Sequence, residues 1–249
     1  MNRFFATIRF LTILPLPGTA GTGELDLAGS LPFFPAAGLL LGGLAAALGW
    51  GLLQIFPPLL VCALLVVIFI AFSGGLHIDG LSDTADGLLS SRSRERMLEI
   101  MRDSHVGALG VAAIACVLLV KFAALASLRD ADLLRAAFLT PLAGRCAMVW
   151  QITLLPYVRE KGLGAVFSRS RSYGAAVWSG VVLVLTGWLL LGEIGFLIGS
   201  LSLALTLFLA VWFHRKIGGA TGDTYGATCE IAELAPALVL AALPFSGAR

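Results

Sequence analysis

Apolar runs of about 20 residues, the length of a helix that crosses a bilayer, recur along this chain. Seven of them are found, near 34–56, 58–76, 107–126, 134–156, 174–191, 194–213 and 227–245. The first pair is parted by Pro57-Pro58 and the fifth and sixth by "GEIG", both turn signals. Only 13% of the 249 residues are charged and 58% are hydrophobic, whereas a soluble domain carries roughly 25% charged residues. Mean hydropathy is +0.93. The expectation is an all-α, polytopic transmembrane bundle of about seven spans, forming one integral-membrane catalytic domain over residues 1–249 with the lipid bilayer as its main partner. A net charge of +2 without clustered basic residues and interleaved aromatics excludes nucleic-acid binding.

The start, "MNRFFATIRFLTILPLPG", is about ten apolar residues long, too short to span. Arg9 interrupts it and no small-residue cleavage site follows. It reads as a short interfacial helix with Arg3 and Arg9 toward headgroups. The cysteines Cys62, Cys116, Cys146 and Cys229 are scattered in or beside apolar runs, without a CxxC pair, and read as small hydrophobes rather than a disulfide or zinc framework. "GLLLG", Gly38 to Gly42, matches the small-residue motif of close helix packing, here within one bundle.

Positive charges orient the bundle. With the N-terminus cytoplasmic, that side holds Arg3, Arg9, Arg92, Arg94, Arg96, Arg102, Arg159, Lys161, Arg169, Arg171, Arg215 and Lys216. The other side holds only Arg129, Arg135 and Arg249. Every polar or glycine-rich segment then faces the cytoplasm, so function is expected there.

Among these segments is "GGLHIDGLSDTADGL", Gly74 to Leu88. Asp79, Asp83 and Asp86 stand at i, i+4 and i+7, one helical face. Three like charges there repel unless a cation intervenes, and hard oxygen ligands suit Mg²⁺, which bridges carboxylates to substrate phosphates. The spacing therefore reads as a site for a phosphorylated or diphosphate substrate; the plain alternative is a solvated helix end. "GDTYGATCEIAEL" adds Asp223, then Glu230 and Glu233 on one face inside the last span. Acids there are costly unless paired or metal-bound, and the candidate partners are the metal and Arg145, the one arginine well inside a span. "MRDSHVGALG" supplies Asp103, placed to cap the third span, and His105, a candidate base near neutral pH whose plain alternative is a hydrogen-bonding bystander. Lys121 is expected to snorkel to the outer interface.

Taken together, "RFLTILPLP", "FFPAAGLLLG", "GGLHIDGLSDTADGL", "MRDSHVGALG" and "GGATGDTYGA" resemble the cobalamin synthase family, the adenosylcobinamide-GDP ribazoletransferases, over about Arg9 to Glu233. The resemblance implies a multi-pass bacterial inner-membrane transferase using Mg²⁺ to join adenosylcobinamide-GDP to α-ribazole, or its 5′-phosphate, with release of GMP. The family's acidic motif falls on Asp79, Asp83 and Asp86, its TGD motif on Thr221, Gly222 and Asp223, and its DS-x-x-G segment on Asp103, Ser104 and Gly107. Where a polar or basic residue is expected after the threonine of "FLT", this chain has Ile13. On this reading Asp79, Asp83, Asp86 and Glu230 are the metal ligands. Asp223 closes the site, Arg145 or Arg102 holds phosphate, Ser104, Thr221 and Gly222 contact substrate, and Asp103 or His105 accepts the hydroxyl proton.

The rival enzyme classes are CDP-alcohol phosphotransferases, whose later G-x-x-x-D-x-x-x-D is missing, and prenyltransferases with Asp-rich motifs. A transporter would place its acids near the midplane and show internal repeats; here they crowd one face. The number of metals, the acceptor's phosphorylation state and self-association into a homo-oligomer are left open.

Overall fold

The computed structural model describes residues 1–159, 162–168 and 171–243. Lys161, Arg169 and Arg249, counted in the charge asymmetry, and the last residues of the seventh run lie outside them. The described residues form helices α1 (Asn2–Leu11), α2 (Glu24–Ala28), α3 (Phe34–Leu53), α4 (Pro58–Phe72), α5 (Leu76–Leu88), α6 (Arg94–Ile100), α7 (Ala108–Ala126), α8 (Asp130–Leu154), α9 (Leu163–Ser168), α10 (Tyr173–Leu191), α11 (Glu193–Ile217), α12 (Gly222–Ala232) and α13 (Ala235–Ala242). One isolated bridge joins Tyr157 to Ala220. The all-helical expectation holds.

Among the described residues five segments are each long and apolar enough to cross a membrane: Leu31–Leu53, Ala108–Ala126, Tyr173–Leu191, Glu193–Ile217 and Gly222–Ala242. The expected second span differs. It stops at Phe72, and Gly74 and Gly75 take positive φ of 61° and 82°, a conformation that costs glycine least. The chain turns there by 87° into α5. The carboxylate stretch is thus a helix of its own, set across the end of α4. The expected fourth span is α8, 25 residues long and buried along nearly its whole length from Leu133 to Thr153. It is the central post of the bundle, and its Arg145 and Gln151 are tolerated because protein rather than lipid surrounds them.

Helix α3 lies against α8 along the "GLLLG" stripe. A Cβ on Gly38 would stand 2.8 Å from Leu142 Cα, and one on Gly42 would stand 2.1 Å from the Phe138 carbonyl oxygen. Backbones approach this closely only where no side chain intervenes. Gly42→Leu is therefore expected to abolish the monodisperse folded peak in detergent size-exclusion chromatography. Gly51→Leu on the same helix, whose added Cβ meets nothing within 4 Å, should leave the peak intact.

The interfacial helix is tied down more firmly than expected. Arg9 donates to the carbonyls of Leu16, Gly18 and Ala20 at 3.0, 2.6 and 3.0 Å, clasping the loop after α1 instead of reaching for headgroups. Arg3 packs under Gly29, and Thr7 donates to the Ser30 carbonyl at 3.1 Å. Ile8 and Leu11 join the core beside Phe34 and Phe213.

Candidate active site at one end of the bundle

Segments that the charge pattern assigned to one side converge in the structure. Arg94 Nε donates to the Ile217 carbonyl at the C-terminus of α11 (2.7 Å). Residues 156–158 run beside 220: Val158 N–H donates to the Ala220 carbonyl (2.9 Å) and Ala220 N–H to that of Pro156 (2.8 Å). This stitch delivers Arg159 to the start of α12, where its Nη2 meets Asp223 Oδ2 at 2.6 Å and the Met101 carbonyl at 3.2 Å.

The two acidic motifs are brought together by glycines. Helices α5 and α12 cross where a Cβ on Gly80 would stand 2.7 Å from the Asp223 carbonyl oxygen, and one on Gly226 would stand 3.1 Å from that of His77. Asp79 and Asp83 lie on the one accessible strip of α5, between buried His77, Gly80, Leu81, Ser82 and Thr84. Asp83 is within electrostatic range of Asp79, Asp86, Asp223 and Arg159. The start of α12 is fixed by a capping box between Thr221 and Thr224, and Thr221 Oγ1 also donates to Asp223 Oδ2 at 3.3 Å. The expected meeting of the second and seventh segments is thereby realised, through α5.

Beside these acids lies a cavity of about 220 Å³. Its polar edge is Asp79, Arg159, Gly222 and Asp223; its body is Phe10, Leu76, Met148, Ile152, Tyr157, Phe167 and Tyr225, with His77 in the wall. The rings of Tyr157 and Tyr225 lie 6.3 Å apart, and Phe167 packs 4.9 Å from Phe10 and 5.4 Å from Phe34. Among the described residues, His77 Nε2, Tyr225 Oη and Arg159 Nε are buried without a hydrogen-bond partner. Buried polar atoms are normally satisfied, so orphans gathered at a cavity point to a ligand.

Several other candidates are placed differently. Asp86 accepts from Gly107 N–H at 2.8 Å and Gly110 N–H at 2.9 Å, using both carboxylate oxygens to cap α7. That was the role expected of Asp103. Asp103 instead bonds His105 at 2.6 Å on an exposed turn, where the hydrogen bond from His105 holds the Asp103 carboxyl below its ordinary range and the same bond raises the His105 imidazole. Neither lines the cavity. Arg102 and Ser104 are exposed on the same turn, with Arg102 close enough to Tyr157 to act on it electrostatically. Arg159 went unnoticed beyond its contribution to the charge asymmetry, because its partner is 64 residues away.

A second polar centre is sealed inside the bundle. Lys121 Nζ bonds Glu230 Oε2 and Glu233 Oε2, each at 2.8 Å, and Arg145 Nη1 bonds Glu233 Oε1 at 2.5 Å. All four side chains are only 2–3% exposed. Two cations therefore neutralise two carboxylates, with Lys121 also lying 5.8 Å from the Phe69 ring centre. Arg145 was one of the two candidate partners and pairs with Glu233; Lys121 takes the place assigned to a metal, so Glu230 is an ion-pair partner and Lys121 does not snorkel. The cavity and this centre touch: Cys229 Sγ lies 3.5 Å from His77 Nδ1 and 3.7 Å from Glu233 Oε1.

Among the described residues no three His, Cys, Asp or Glu side chains are gathered tightly enough to enclose a metal ion by themselves. Mg²⁺, however, is usually held by one or two carboxylates together with substrate phosphates and water. Asp79, Asp83 and Asp223 have the donor chemistry for that arrangement; Asp86 and Glu230 are committed elsewhere.

A helical membrane bundle with acids, an arginine and an aromatic cavity at one end offers a ligand both charged and flat apolar contacts. The comparisons narrow the class. A family model described as cobalamin-5-phosphate synthase matches residues 3–241, and the chain belongs to that family. An adenosylcobinamide-GDP ribazoletransferase from a Roseiflexus species is 45% identical over 91% of this chain and 84% of its own. Proteins of the same description from Acetivibrio thermocellus and Herpetosiphon aurantiacus are 38% and 40% identical, covering 93% and 95% of this chain and 94% of theirs. No solved structure matches.

Proposed function

We propose that this protein is an Mg²⁺-dependent transferase of cobalamin assembly, joining adenosylcobinamide-GDP to α-ribazole or its 5′-phosphate with release of GMP. The observation that carries the reading is the crossing of α5 and α12, which sets Asp79 and Asp83 beside the Asp223–Arg159 pair at the lip of the cavity. Asp79 and Asp83 would hold Mg²⁺, with Asp223 within range. The metal, when bound, supplies charge neutralisation for the diphosphate and for the leaving GMP. Arg159 offers the remaining positive charge to the transferring phosphoryl group, and Asp223 orients it. Asp223 is also the carboxylate assigned to the acceptor hydroxyl's proton, since it lines the cavity while Asp103 and His105 do not. Positioning and electrostatics carry most of such a phosphoryl transfer.

In this reading the protein sits in the bacterial inner membrane with its N-terminus and active site cytoplasmic, an orientation supported by the charge asymmetry and by the convergence of the cationic segments at one end. The test is the purified protein in lipid nanodiscs with adenosylcobinamide-GDP, α-ribazole and Mg²⁺. Corrinoid product and GMP should appear in equal amounts and cease reversibly with EDTA. Absence of transfer with either form of the acceptor would overturn the assignment.

A further inference from the structure

Resting on the transferase reading, we propose that the cavity receives the planar heteroaromatic base of the ribazole acceptor and that Tyr225 and His77 are its polar contacts.

Volume is the first argument. At about 220 Å³ the cavity is smaller than the roughly 300–1,000 Å³ of pockets that enclose drug-sized ligands. It suits a fused bicyclic ring and is too small to enclose a corrin macrocycle. Lining is the second. Phe10, Phe167, Tyr157, Tyr225, Met148 and Ile152 form its body, aromatic and thioether surface that packs on a flat ring. The third is the polar inventory. His77 and Tyr225 are 1% and 3% exposed, yet His77 Nε2 and Tyr225 Oη have no partner among the described residues. A protein leaves such groups unpaired at a cost, and a ring nitrogen or a ribose oxygen would relieve it. The substrates carry three flat bicyclic bases: that of the ribazole acceptor, the guanine of the donor's GDP and the adenine of the donor's adenosyl group. Guanine and adenine carry hydrogen-bonding groups around most of their edges, whereas the body of the cavity offers only His77 and Tyr225, the acids and Arg159 standing at its rim. The apolar benzimidazole-type base of a ribazole needs few partners. Its placement here puts the attached ribose toward the rim, where Asp79, Arg159 and Asp223 stand.

Three measurements on the full chain in nanodiscs test the assignment. Free benzimidazole, a probe that requires no catalysis, should bind in calorimetry and be displaced by α-ribazole but not by GDP. Ile152→Trp, which fills the cavity, should eliminate that binding and raise the acceptor KM at least tenfold while leaving the donor KM within about twofold. Tyr225→Phe keeps the ring and removes only the orphan hydroxyl, so it should weaken acceptor affinity about 3–10-fold, the worth of one hydrogen bond, with a melting temperature equal to or above wild type. That last pairing guards against misfolding: a merely structural hydroxyl would lower the melting temperature and leave KM alone. Benzimidazole binding without ribazole transfer would sustain the cavity assignment while removing the transferase reading. Displacement by GDP, a rise in donor KM alone, or unchanged benzimidazole binding in Ile152→Trp would overturn it.

Discussion

Asp83→Asn is expected to lower the single-turnover rate by at least 10²–10³-fold, the scale seen when one preorganised electrostatic group is removed from a transition state, without loss of folded protein. The side chain keeps its size and position on the accessible strip of α5, and only its charge is removed. Asp223→Asn should cost a similar factor, because it releases Arg159 from its 2.6 Å contact. The double variant should be scarcely slower than either single one, since groups of one catalytic unit lose activity non-additively. Asp86→Asn provides the contrast. Its carboxylate holds Gly107 and Gly110 at the head of α7, one with each oxygen; asparagine keeps one of the two acceptors, which suffices for an N-cap. That variant should retain most of the rate. Fully additive losses for Asp83 and Asp223 would separate α5 from α12 functionally, and a collapse of activity in Asp86→Asn would return it to the reacting centre.

Glu233→Ala is expected to be the most destabilising of the charge deletions. Glu233 meets Arg145 with one oxygen and Lys121 with the other, so its loss leaves two buried cations facing the single carboxylate of Glu230. Breaking a buried pair by removing one partner costs roughly 3–5 kcal/mol. At about 2–4 °C per kcal/mol for a chain of this size, the melting midpoint should fall by roughly 6–20 °C in a thermal fluorescence assay. The double variant Lys121→Met with Glu230→Met removes one charge of each sign and leaves Arg145 with Glu233. It should melt much nearer the wild type than Lys121→Met alone, because contacting groups couple. Equal instability of the single and the double would mean that packing, not charge balance, holds α7, α8 and α12 together.

Much of the molecule follows from local pattern. The length and continuity of the apolar runs determined that the chain is helical and membrane-bound, and the charge distribution gathered the polar segments at one end. The i, i+4, i+7 register determined that Asp79, Asp83 and Asp86 would share a face, and "GLLLG" marked a close helix contact before its partner α8 was known. These are properties of a segment and its immediate neighbours, so composition and spacing suffice to read them.

What each acid does is another matter. Asp79, Asp83 and Asp86 are equivalent in the one-dimensional pattern, yet only Asp86 meets the head of α7 and is consumed there. Lys121 at a span's end and Glu230 at a span's start looked like an interfacial anchor and a ligand, and become one ion pair because α7 and α12 are adjacent, 109 residues apart in the chain. Arg159 looked like one cationic residue among many until the bridge at Tyr157 and Ala220 carried it to Asp223. The 87° turn at Gly74 and Gly75 decided that the acids would lie across the bundle end rather than continue a span. A charge in a low-dielectric interior must be paired, and the pattern alone establishes that obligation. Which partner discharges it depends on the helices that happen to face each other, and only the tertiary structure decides that.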